Sequence, residues 1–232
     1  MEILKLFGLA FAPVIAIIIF IWFKDKYEKE PFRLLLLSFL FGVLSIIPAI
    51  IIELIEGKFI APTSLVNVII YSFVVIALSE EFCKFFFLRK VFFRKKSFNE
   101  PFDGIVYSVM ISMGFAAIEN VMYVLNHGVS TAILRMFTAV PAHASFAIMM
   151  GYFVGLAKFS NHKNKLSFVG LFVAVVFHGA YDFFLIQNEY NALKILAFVV
   201  LIICIILGFI AIKKMQKNKF IQNNSFDNNI KI

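Results

Sequence analysis

The stretch Glu80-Glu81-Phe82-Cys83-Lys84 sets two carboxylates and an ammonium inside an otherwise apolar run. Three later apolar runs carry Glu119 with Asn120, Arg135 with His143, and His178 with Asp182. A carboxylate beside a histidine can activate water for attack on a carbonyl. A second histidine with an Asn or Asp nearby can stabilise the developing oxyanion. A metal is the alternative: His143 and His178 with Glu119 or Asp182 could hold Zn²⁺ and leave one position open. No HExxH pattern occurs in the chain, so the metal version rests on residue types alone. No serine stands in a nucleophile-elbow pattern and neither cysteine has a plausible histidine partner, which argues against covalent catalysis.

The spacings fit helices. Glu80 and Lys84 are four apart and Glu81 and Lys84 three apart, so all three share a helix face. His178 and Asp182 are also four apart. His143 heads a small-residue stripe of Ala147, Gly151 and Gly155, and Gly114, Ala116 and Ala117 precede Glu119. Such residues let neighbouring helices approach closely, as a preorganised chamber requires. Arg135 reads as a residue that snorkels from the outer end of its helix. Asp103, after Pro101, reads as a stabiliser of a helix N-terminus.

The elements that must position these groups are membrane helices. Hydrophobic residues make up 62% of the 232 and charged residues only 16%, which is the composition of a polytopic membrane protein. An all-α transmembrane bundle of about seven spans is expected. Their approximate limits are 3–23, 33–53, 65–88, 102–126, 131–157, 166–187 and 192–212. Residues 1–212 form one membrane domain, and the basic, Asn-rich tail 213–232 reads as disordered. The run 6–23 is long enough to span and ends in charges without a cleavage site, so it is taken as a helix and not a signal peptide.

The formal charge of +8 does not point to nucleic acid, because the cations cluster in short loops. Lysines and arginines fill 24–33, 89–96, 158–165 and the tail, while the opposite side has only Lys5, Lys58 and Lys194. The positive-inside rule then places the N-terminus outside and the C-terminus in the cytoplasm. Ionisable groups within spans cost roughly 2.5–3.5 kcal/mol each on insertion scales and so mark function. The polar set is expected on four consecutive helices, with spans one, two and seven nearly free of it.

Five stretches in this order resemble the PrsW family of intramembrane proteases, a branch of the group that includes the prenyl-protein endopeptidases and bacteriocin-immunity proteins. They are KDKYEKEP (24–31), EEFCK (80–84), PFDGIVYSVMISMGFAAIENVMYV (101–124), PAHASFAIMMGYFVGLAK (141–158) and HGAYD (178–182). The resemblance implies an endopeptidase of the bacterial cell membrane that cuts a single-pass membrane protein. Its best-known family role is the first cut in an anti-sigma factor. The resemblance assigns Glu80 and Glu81 to the paired glutamates, with Glu80 activating water, and His143 and His178 to the family histidines. Glu119 takes the place, four after Phe115, where the prenyl-protein endopeptidases have His. Asp182 would orient His178, and Lys84, Asn120 and Arg135 would support the site. The glutamate mechanism needs no cofactor; the metal version needs Zn²⁺. Two other classes fit buried Glu, His and Lys: an ion- or proton-coupled transporter, and an inactive peptide-binding or immunity protein.

Overall fold

The computed structural model describes residues 2–229, with side chains from 4 to 217. Among the described residues all long elements are helices: α1 (Glu2–Lys24), α2 (Phe32–Glu56), α3 (Leu65–Phe92), α4 (Pro101–Phe137), α5 (Ala139–Lys158), α6 (Lys163–Ile186) and α7 (Ile195–Asn229). Helix starts follow local chemistry. Ser64 accepts from the Asn67 N–H at 3.2 Å to open α3. Pro101 occupies the first turn of α4, where its missing N–H costs nothing. Asp103 accepts from the Glu100 and Asn99 backbone N–H groups at 2.7 and 2.9 Å, the helix-stabilising role expected of it.

Among the described residues, six helical stretches are long and apolar enough to cross a bilayer, against about seven expected. The difference lies in residues 101–158, a single stretch of 58 residues by helical continuity. At about 1.5 Å per residue it is far longer than one crossing. It turns back on itself instead. The reversal falls at Gly128, whose φ of +77° is open to glycine, and Thr138 interrupts the returning limb. Ser112 Oγ donates to the His143 carbonyl at 3.0 Å, and a Cβ on Gly104 would fall 2.5 Å from the Gly151 carbonyl. The limbs therefore run antiparallel, and the expected stripe of His143, Ala147, Gly151 and Gly155 is the seam that α4 packs into.

α4 is the central helix. Its residues from Phe102 to Ala117 are buried throughout, among α1, α2 and α5. α1, α2 and α7 expose long rows of Ile, Leu and Phe, as lipid-facing helices do. Contacts between loops gather the cation-rich segments on one face. Asn99 donates to Glu28, Arg89 to Asn164, and Tyr27 to the Gln216 carbonyl. α7 continues to Asn229, through most of the tail expected to be disordered. That segment has no Gly or Pro, so nothing in it stops a helix.

Candidate active site

α3 presents Glu80, Glu81 and Lys84 inward. The i,i+3 and i,i+4 spacings become two ion pairs: Lys84 Nζ lies 2.8 Å from Glu81 Oε1 and 3.0 Å from Glu80 Oε2. All three side chains are buried. The Lys84 ammonium also stands 4.0 Å from the centre of the Phe115 ring and 3.4 Å from His143 Nδ1. Two charges removed from water need such compensation.

The histidines come from α5 and α6 and meet edge to face, with ring centres 5.3 Å apart. Each is held the same way. His143 Nε2 lies 2.7 Å from Glu119 Oε2, and His178 Nε2 lies 3.2 Å from Asp182 Oδ2. Each Nδ1 then faces the centre: that of His143 toward Lys84, that of His178 toward Glu81 Oε1 at 3.0 Å. A neutral imidazole that donates from Nε2 keeps a lone pair on Nδ1. Glu119 thus selects for His143 the tautomer whose Nδ1 lone pair points inward, whereas His178 has a carboxylate oxygen at each ring nitrogen and can donate to both. Phe146 stacks on His178 at 5.0 Å and fixes the ring plane.

A cavity of about 510 Å³ opens beside this cluster. Glu80, His143, His178, Glu119 and Asp182 line it, whereas Glu81 and Lys84 stand behind the wall. Its lining extends to Glu53, Tyr71 and Ile186, near the helix ends opposite the cation-rich loops. Glu80 is therefore the member of the glutamate pair that faces the cavity.

The structure brings Glu80, Glu81, Lys84, Glu119, His143, His178 and Asp182 into one connected network. Two expected roles change. Asn120 does not reach the cavity: its amide donates to the Ala10 carbonyl at 2.8 Å and its oxygen accepts from Arg135 Nε at 2.7 Å. Both ends are engaged away from the cavity lining, so it anchors Arg135 and α1. Arg135 does not snorkel. Its guanidinium turns inward to Glu119 Oε2 at 3.0 Å and lies 4.1 Å from the Tyr123 ring centre, because a desolvated carboxylate attracts it more than the interface does. Glu53 was missed. It lies near the end of α2, on a span expected to lack polar function, and its only signal is the first of two acids within AIIIELIE.

The donors suit a metal. One ligand atom from each of Glu80, Glu81, His143 and His178 lies within 4.8 Å of the others. Two imidazoles and two carboxylates are a common donor set for a divalent transition metal. Glu119 and Asp182, expected as candidate ligands, instead stand behind the histidines on Nε2, where outer carboxylates orient metal-bound rings.

A multi-pass membrane protein with paired glutamates and two carboxylate-braced histidines at one cavity has the makings of an intramembrane hydrolase. The family comparison makes the class specific: residues 30–209 match the model of the PrsW family intramembrane metalloproteases, and the chain belongs to that family. Proteins named Protease PrsW are similar over most of their length. That of Geobacillus kaustophilus is 39% identical over 182 residues, covering 77% of this chain and 78% of the relative. That of Clostridioides difficile is 36% identical over 221 residues, covering 92% and 91%. That of Bacillus subtilis is 37% identical over 180 residues, covering 75% and 79%. No solved structure matches the chain. The protein is thus a multi-pass protease of a bacterial membrane, not a transporter.

Proposed function

We propose that this protease makes the first cut in a single-pass membrane protein, an anti-sigma factor of a stress response, with water activated at Glu80. The observation that carries the mechanism is the division of the glutamate pair. Glu80 faces the cavity, while Glu81 is held behind it by Lys84 and His178. Glu81, His143 and His178 would hold a divalent metal such as Zn²⁺, which when bound acidifies water and polarises the scissile carbonyl. Glu80 takes the proton from the attacking water and passes it to the leaving amine. Asp182 and Glu119 keep His178 and His143 in the tautomer that points Nδ1 inward. The bundle excludes bulk water, and the substrate enters from the cation-poor face, where Glu53, Tyr71 and Ile186 line the cavity. By the positive-inside reading that face is extracytoplasmic. The anti-sigma substrate rests on the family resemblance.

A metal-free version of the same reaction is the second reading. It is favoured by Lys84, whose ammonium already contacts three of the four donors. Metal analysis and cleavage of a tagged single-pass anti-sigma factor in proteoliposomes separate the two. The metal version expects about one bound ion per chain. It expects cleavage to stop on chelation, and Glu80→Gln to keep metal but lose cleavage by roughly 100-fold or more. Cleavage that survives both Glu80→Gln and His178→Ala overturns either version.

A further inference from the structure

A second cavity, of about 420 Å³, lies outside the active site on the cation-rich side, between the end of α3 and the start of α6. One end is lined by Arg89, Lys90 and Arg94, and the other by Phe82, Phe86 and Phe168; no acidic side chain lines it. Arg89 is set in place before any ligand arrives. Its Nη2 donates to Asn164 Oδ1 at 3.0 Å, and its guanidinium lies 3.7 Å from the centre of the Phe93 ring. Lys90 and Arg94 are exposed. The three phenyl rings are also exposed, at 46%, 45% and 60% for Phe82, Phe86 and Phe168.

We infer that this groove binds an anionic glycerophospholipid of the surrounding bilayer, with its phosphate at Arg89, Lys90 and Arg94 and an acyl chain across Phe82, Phe86 and Phe168. The argument is complementarity of two kinds. A cationic end without a counter-charge asks for an anion, and basic pockets between helices at a membrane face suit lipid headgroups. A free phosphate would leave the phenyl rings uncovered. A neutral lipid would leave three cations without a net partner. Only a ligand with both parts, at the depth where headgroup meets chain, fills the groove. The placement ties it to the chemistry: α3 carries Glu80 and Glu81 on its inner face and α6 carries His178, so a lipid here braces the two helices against each other from outside.

The test is lipid retention by the full-length protein. The protein is purified from liposomes of equal phosphatidylglycerol and phosphatidylcholine, and the retained lipid is counted by mass spectrometry. Wild type is expected to retain phosphatidylglycerol preferentially, and excess inorganic phosphate is expected not to displace it. Lys90→Gln with Arg94→Gln, both on exposed side chains, should cut the preference roughly tenfold. Adding Arg89→Gln should abolish it. Lys213→Gln with Lys214→Gln removes the same charge elsewhere and should change nothing. Retention without headgroup preference, an equal loss in the groove and tail variants, or displacement by phosphate alone overturns the inference.

Discussion

Two groups of buried carboxylates lie at different depths and are stabilised differently. In the active site, Glu80, Glu81 and Glu119 are each within 3.0 Å of a cationic nitrogen of Lys84 or Arg135. At the cation-rich face, Glu30 accepts a hydrogen bond from the Tyr107 hydroxyl and lies beside Asp103. Burial pushes the Glu30 carboxyl up to about 7, against the opposing Tyr107 and Asp103 hydrogen bonds and with help from the charges of Asp25 and Glu28. Each carboxylate of the first group has a cation to offset its burial. In the second group a hydroxyl and neighbouring carboxylates take the place of a cation, so burial raises the Glu30 carboxyl toward its neutral form. The same residue type lines the candidate active site in one place and joins the helix-start network in the other, and the difference is the partner each carboxylate meets.

The sharpest way to break this comparison is to remove the cation from the first group. Lys84→Met leaves Glu80 and Glu81 buried without their partner. It should cost about 3–5 kcal/mol of stability in metal-free protein, read as a fall in thermal midpoint in detergent. If the glutamates and histidines also hold a metal, added Zn²⁺ should recover much of that loss. No recovery would mean that Lys84 is the site's own permanent counter-ion.

A smaller effect tests the histidine supports. Asp182→Asn should lower cleavage roughly 10–100-fold and weaken metal affinity to a similar degree, because Asn does not fix the Nε2–H tautomer. Glu119→Gln should do the same at His143 and destabilise the fold more, since Arg135 loses its partner. Unchanged metal affinity in both variants would reduce these carboxylates to packing.

The smallest effect belongs to the second group. Glu30 binds a proton more tightly folded than unfolded, so its contribution to stability is full below about 4.5 and is lost as pH rises through about 7. Thermal midpoints of wild type should decline over that window, and Glu30→Gln should flatten the slope. A wild-type profile that rises there would show that Glu30 is ionised when folded.

Much of the site was legible because intramembrane charge is rare and helical spacing is regular. Glu80, Glu81 and Lys84 fall on one helix face by counting alone, and the structure places their side chains as that counting requires. The histidines were legible for the same reason. Glu53 was not: with Glu56 three residues on, it looks like a boundary residue until other helices close a cavity around it. Asn120 and Arg135 were read singly, and their roles emerge only as a pair that also engages Ala10 and Glu119. The hydropathy count divided 101–158 into two spans, and the backbone leaves helical geometry and reverses between them at Gly128.

The sequence by itself determined the membrane class, the side of the cations, and the set of groups available for chemistry, because these depend on composition and on distances along one helix. Only the tertiary structure decided that Glu80 faces the cavity while Glu81 does not, and that Glu119 and Asp182 stand behind the histidines. Those choices depend on how four helices rotate against one another, and close glycine seams such as Gly104 on Gly151 set that rotation through contacts far apart in the chain.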